Sequence, residues 1–340
     1  MVSSKLAAAI LASSCLAAAA GTAAAQEVTI RLADSFPTTH VLSKEGAQFF
    51  IDTVQELSGG RIAVEYFPAS QLGKAADFLT LVQSGTVDMA YIPPAYVQAK
   101  MPLSDVANLP GMFSEVCAGS EAYIELARDG RIKETDYDAQ GVHLVFGTML
   151  APYQISGPNV PIRSLADLQG KKIRSTGNAT NLVVEALGGV PVNLSGAETY
   201  DGLERGTIDF NLGPYSSYKG YDLYDLTKYG TVGFGFGNTV VGYTMNASVY
   251  EGLSDELRAF IDEAGKETSA HVCAAVEKEN DNAIAEMRAL GAEFYEATPE
   301  ALKEFEPIAM KLQEQWAADM DARGLPGTET LEAMKSALQD

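Results

Sequence analysis

The chain is poor in the residues on which most chemical motifs depend. Its 340 residues include three histidines, three cysteines and one tryptophan. His40, His143 and His271 are scattered, with no carboxylate at metal-ligand spacing, and no H-E-x-x-H, G-x-S-x-G or P-loop sequence occurs. Gly233-Phe-Gly-Phe-Gly237 lacks the spacing of a dinucleotide fingerprint. No metal, cofactor or catalytic residue is therefore expected. A secreted enzyme using carboxylates and tyrosines as acid and base is the one catalytic reading left open. Positive charge is scarce as well, with 24 Lys and Arg against 45 Asp and Glu and a formal net charge of −21. Nucleic acid and anionic membranes both demand clustered cations, so neither is expected as a partner. A small anion is another matter, because one Arg in a desolvated cleft acts at hydrogen-bond range.

Long apolar runs are missing too, except at the N-terminus. There Lys5 precedes the run Leu6 to Ala20, and Ala23-Ala24-Ala25 has the form of a cleavage site. Residues 1–25 read as a secretory signal peptide cleaved after Ala25, which sends the mature chain to the periplasm. Losing Lys5, the only charge in the leader, takes the formal charge from −21 to −22. Cys117 and Cys273 remain. Export permits a disulfide between them, two buried free thiols fit equally, and the sequence leaves both open. The absence of C-x-x-C speaks against redox or metal chemistry at cysteine.

What is present organises itself around residues 164–211. Ser164 and Asp167 read as a capped first turn, Gly170 closes it, Lys171 to Ser175 reads as a strand, and Ala179 to Leu187 as a helix after Thr176-Gly177-Asn178. Arg174 thus stands at the carboxyl end of a strand, where α/β sheets bind ligands and the next helix presents free N–H groups. The chain opens with a strand at Val28 to Ala33 and a turn-rich loop, Asp34 to His40, at its carboxyl end. Gly85-Thr-Val-Asp88 and Gly206-Thr-Ile-Asp209 each follow a helix and open a strand, as matching parts of two α/β domains built alike with a cleft between. Met149 to Gln154 reads as a crossing segment. Tyr215, Tyr218, Tyr221 and Tyr224 form an i, i+3 stripe that reads as packing, with Tyr215 at a strand end the exception. From Ser254 to Leu290 one helix pattern would span about 54 Å and brace both domains, with a bend at Gly265.

Gly59-Gly-Arg-Ile, Pro68-Ala-Ser-Gln-Leu-Gly73, Gly85-Thr-Val-Asp88, Leu165-Ala-Asp-Leu-Gln-Gly-Lys-Lys-Ile-Arg174, Glu198-x-Tyr200, Gly206-Thr-Ile-Asp209 and Met245-Asn246 occur in order. In these the chain resembles the periplasmic solute-binding subunits of TRAP transporters, the DctP-like family, over essentially the whole mature length. The resemblance implies a monomeric α/β protein with the two-domain periplasmic binding protein fold. Each domain would be a central β-sheet flanked by helices, joined by crossing hinge strands and the long helix. Domain I would comprise 26–150 and 240–279, and domain II 151–239 and 280–340. The resemblance also implies that Arg174 forms a bidentate salt bridge with a solute carboxylate, that the domains close by hinge motion, and that TRAP permease membrane subunits receive the solute. A receptor for an ABC importer or a sensor kinase shares the architecture and is the alternative.

Departures from the family pattern matter as much. Gln154 stands where the sialic acid binders carry a second Arg, Asn211 stands in for a Gln, and Gly213 replaces an Asn. Pro93 and Pro94 occupy a loop that often holds polar contacts, and Tyr91, Phe234 and Phe236 are nearby. The expected solute is a small acid with one carboxylate, less polar than a sugar acid. The candidate ligand-binding residues are Arg174, Gln154, Asn211, Tyr91, Asp34, Phe234 and Tyr215.

Overall fold

The computed structural model describes residues 26–339, so the expected leader and its cleavage site lie outside the described residues. Two sheets divide the strands between them. The first holds β1 (Val28–Ala33), β2 (Ile62–Phe67), β3 (Met89–Ile92), β4 (Val142–Met149) and β10 (Val240–Asn246), in the order β2-β1-β3-β10-β4. The second holds β5 (Gln154–Gly157), β6 (Lys172–Ser175), β7 (Val190–Asn193), β8 (Phe210–Gly213), β9 (Tyr229–Val232) and β11 (Glu293–Glu296), in the order β11-β9-β5-β8-β6-β7. In each sheet three strands run parallel, β2-β1-β3 and β7-β6-β8, and the next strand is antiparallel to them. That antiparallel strand is the one the chain has just carried over from the other sheet: β4 leads to β5, and β9 leads to β10. Where each parallel set meets its antiparallel neighbour the sheet is covered on both faces, and every residue of β3 and β8 is buried.

The repeated Gly-Thr-x-Asp sequence does the same job in both halves. Gly85 and Gly206 end their helices at φ +70° and +68°. Asp88 then accepts the Arg31 backbone N–H at 2.8 Å, and Asp209 accepts that of Lys172 at 2.8 Å. The backbone N–H of each Asp returns a bond to the same residue, at 3.0 and 2.7 Å. Each Asp therefore fixes the register of its own strand against the neighbouring one.

The helices are α1 (Phe49–Leu57), α2 (Phe78–Gln83), α3 (Val116–Arg128), α4 (Asn178–Ala186), α5 (Thr199–Glu204), α6 (Ala247–Glu251), α7 (Asp255–Ala289), α8 (Pro299–Ala322) and α9 (Gly327–Ala337). Ser254 caps α7 by accepting the Leu257 N–H. At 35 residues, α7 is about 52 Å long. It packs on β4, α1 and α3 in its first part and reaches the second sheet's satellite core, where Ala283 and Met287 meet Tyr215 and Tyr218. The helix runs through Gly265 without a break. The glycine serves close packing instead, since a Cβ there would lie 2.3 Å from the Val145 carbonyl oxygen. Cys117 of α3 and Cys273 of α7 form a disulfide, with Cα atoms 5.0 Å apart.

The C-terminal helices, expected with domain II, touch elements of both halves. α8 packs on α4 and on the turn Leu103–Asn108, and α9 packs on α8, α3 and the same turn. Their apolar faces, with Phe305, Leu312, Trp316, Leu331 and Met334, join the main core, which takes in Ile173 of β6 and Phe210 of β8 as well as the first sheet. The tail therefore straddles both halves. Among the described residues no helix is long and apolar enough to cross a membrane.

Candidate functional site

A cavity of about 650 Å³ opens between the carboxyl ends of the two parallel strand sets. β1 delivers Ser35 and Phe36 to it, β3 delivers Tyr91, β6 delivers Arg174, and β8 delivers Asn211; Tyr153 and Thr239 come from the two crossing segments. Those segments pair with each other through Leu150 N–H to Thr239 O (3.0 Å) and Tyr153 N–H to Gly237 O (2.8 Å).

Arg174 is 4% exposed. Its Nε donates to the Leu194 carbonyl at 3.0 Å and its Nη1 to that of Leu212 at 3.1 Å. No carboxylate among the described residues is within ion-pairing distance of it. A buried cation held by two carbonyls keeps unused donors on its fork, and these face the cavity. Beside it, Asn211 Nδ2 donates to the Tyr218 oxygen at 2.8 Å, and the Tyr218 hydroxyl meets Ser156 Oγ at 2.6 Å. Asn211 Oδ1 is buried without a partner.

Six aromatic side chains share the wall with smaller polar ones: Phe36, Tyr91, Tyr96, Tyr153, Tyr218 and Tyr221. Burial raises the Tyr91 and Tyr221 phenols well above their ordinary range and pushes Tyr153 up to about 12, while the Arg174 charge acts in the opposite direction on all three. These hydroxyls stay protonated and remain hydrogen-bond donors. The other charges sit at the exposed rim. Glu198 bonds the Ser195 hydroxyl and backbone N–H, which hold its carboxyl below the usual range, and Lys74 lies opposite.

Of the residues expected at the site, the structure brings Arg174, Asn211 and Tyr91 to the cavity and leaves four outside its wall. Asp34 is fully buried beneath it and accepts Tyr66 Oη at 2.7 Å, Tyr243 Oη at 2.8 Å and the Phe36 N–H at 3.0 Å. Burial pushes its carboxyl up to about 6. Its part is to hold the loop that presents Phe36. Gln154 spends its amide on the second crossing segment: Nε2 donates to Phe234 O, and Oε1 accepts from Thr231 Oγ1 at 3.0 Å. Phe234 stacks on Phe236, with centroids 4.8 Å apart, and faces Phe305 of α8. Tyr215 donates to Thr231 O at 2.8 Å and sets its ring against Phe294.

The tyrosine stripe does reach the cavity, but through Tyr218 and Tyr221. The chain turns tightly over residues 215–217 after β8, which sends Tyr215 back into the second sheet and brings the next two forward. Tyr153 was legible as part of the crossing segment; Tyr96 and Phe36 had no signal beyond lying after strands. His40 lies behind the wall, stacked on Phe36 (4.7 Å) and tilted against Tyr221 (4.9 Å), and burial pushes its imidazole down to about 3. The contact joins the two halves.

Residues 33–319 match the profile described as bacterial extracellular solute-binding protein, family 7. The chain is 26% identical over 306 residues to the C4-dicarboxylate-binding periplasmic protein DctP of Rhodobacter capsulatus, covering 86% of each chain. Among solved structures, it superposes at a TM-score of 0.86 and 25% identity on a TRAP solute binding protein from a marine metagenome. That protein, specific for aromatic acid ligands, was crystallised with 3-hydroxybenzoate, and the match covers 92% of this chain and 98% of that one. A TRAP solute binding protein of Rhodoferax ferrireducens, complexed with copurified benzoate, gives 0.86 at 24% identity, with 92% and 98% covered.

Proposed function

The chain belongs to the bacterial extracellular solute-binding proteins of family 7, and on that premise we propose that it is the periplasmic receptor of a TRAP transporter, binding a small organic acid through Arg174. The observation that carries this reading is the state of Arg174, buried to 4% exposure at a cavity with unused guanidinium donors and no carboxylate partner among the described residues. A planar fork of donors fits a carboxylate in two parallel bonds. The Tyr91, Tyr153 and Tyr221 hydroxyls can supply further donors to the same anion. The two sheets move as domains about the paired crossing segments and close over the solute. The monomeric receptor then delivers its solute unchanged to the membrane subunits of the permease. Family and structural neighbours are receptors for solutes rather than enzymes.

The test is thermal unfolding of the mature chain, residues 26–340, against a panel of carboxylates, sulfonates, sugars and amines, repeated with Arg174→Ala. A ligand that binds only the folded state stabilises it by about 2.7 kcal/mol at 100 times its Kd. Carboxylates should raise the melting temperature of the wild type and not of the variant. A response to amines or neutral sugars alone, or an equal carboxylate response in Arg174→Ala, would overturn the assignment.

A further inference from the structure

Arg174 accounts for one end of a solute, and the rest of the cavity describes the other. We infer that the solute is an aromatic acid carrying a hydrogen-bond donor next to its carboxylate, an inference that rests on the receptor reading above.

Flat aromatic faces reach the cavity from both halves of the molecule. Phe36 and Tyr91 come from the first, 4.7 Å apart and tilted, with Tyr221 from the second. They are held from behind, since His40 packs on both Phe36 and Tyr221 and Tyr243 packs on Tyr91. Rigid slabs suit a ring, because offset or edge-on aromatic pairs gain more than their buried area alone. A second carboxylate on the solute would meet no second deep cation, as Lys74 is exposed at the rim. Beside Arg174 the polar side chains are bonded to one another, with Ser175 donating to Asn181 and Tyr218 bonded to Asn211 and Ser156.

One deep acceptor is left over. Asn211 Oδ1 has no partner, and Asn211 is 2% exposed. The amide is held by its bond to Tyr218, and the missing side chain of Gly213 marks where it meets the guanidinium: a Cβ there would lie 3.0 Å from Asn211 Nδ2 and 3.4 Å from both Arg174 Nη1 and Asn211 Oδ1. Acceptor and guanidinium therefore lie at one corner of the wall, within the span of a single small solute, and a donor next to the carboxylate held by Arg174 is the group we place against Asn211. A hydroxyl or N–H at that position completes the bond.

Calorimetric titration of the mature chain with mandelate, phenylacetate, 2-cyclohexyl-2-hydroxyacetate and lactate separates the two features. Mandelate should bind about tenfold tighter than phenylacetate, the scale of one buried hydrogen bond. It should bind roughly threefold to tenfold tighter than its saturated-ring analogue. In Asn211→Leu the mandelate-to-phenylacetate ratio should collapse towards one. Equal wild-type affinities for mandelate and phenylacetate would mean that the amide presents its N–H, and would overturn the inference without reference to any variant. Aliphatic acids that bind as tightly as aromatic ones, and lose binding in Arg174→Ala, would overturn it while leaving the receptor reading intact. If no acid binds, both fall.

Discussion

Arg174 shows how little sequence is needed to place a functional side chain and how much is needed to place its neighbours. Strand, polar turn and helix follow one another within 15 residues, from Lys172 to Ala186, so the end of β6 and its Arg were readable locally. Gln154, Phe234 and Tyr215 were not, because their direction is set by partners far along the chain, namely Thr231 and Phe305. Replacing Arg174 with Lys keeps the charge and removes the fork. The expected cost in solute affinity is roughly 2–5 kcal/mol, as for truncating one partner of a buried charge pair. Calorimetry on a bound acid measures it directly, and affinity within a factor of two of wild type would contradict the role given to the guanidinium.

Among the elements, α4 marks where the halves touch. Its N-terminal Gly177 approaches the turn after β3 so closely that a Cβ would lie 2.8 Å from the Ala95 carbonyl and 2.4 Å from Gln98 Nε2. Overpacking of this kind costs about 1–3 kcal/mol. Gly177→Val should therefore prop the cleft open: solution scattering should show no contraction with ligand, and affinity should fall about tenfold or more. Unchanged affinity and normal contraction would mean that the contact yields freely. The α3–α7 disulfide belongs to the same scale. Cys117→Ser or Cys273→Ser should lower stability by roughly 2–5 kcal/mol in urea unfolding. The helices that the bridge joins could be read from periodicity, whereas the bridge itself could not. With the cysteines 156 positions apart in the sequence, only the packing of α3 on α7 decides their separation.

For the whole molecule, the buried acids set how stability depends on pH. Burial pushes Asp34, Asp105 and Asp136 up to about 6. An unfolded Asp titrates near 3.9, so between about pH 4 and 6 the folded chain holds protons that the unfolded chain has lost, and stability falls as pH rises through that window. His40, pushed down to about 3, works against this, because below about 6.5 the unfolded imidazole is protonated and the folded one is not. Three groups oppose one. Urea midpoints should therefore be higher at pH 5 than at pH 7, and Asp34→Asn should shrink the difference. A flat or inverted profile would show that the buried acids stay ionised. The half-buried Asp167 and the exposed Asp321, lowered by hydrogen bonds, tell only below about pH 4. The two-sheet plan was legible from the repeated Gly-Thr-x-Asp corners. The tail shared by both halves was not, since an apolar helix face does not name the surface it will cover.

The clasp at Cys273 gives α7 the mechanics of a beam built into a wall. About 24 Å of helix runs on from it to Ala289; the first turn of this stretch is still held, by Glu277 accepting the Val116 N–H at 2.7 Å, and the side chains near its tip, Ala283 and Met287, carry the second core. If that half swings as proposed, it would load the beam in flexure or slide along its end, and the helix would act as a spring as well as a brace. Its stiffness is set by where the clasp sits, and opening the bridge would lengthen the free span and soften the spring.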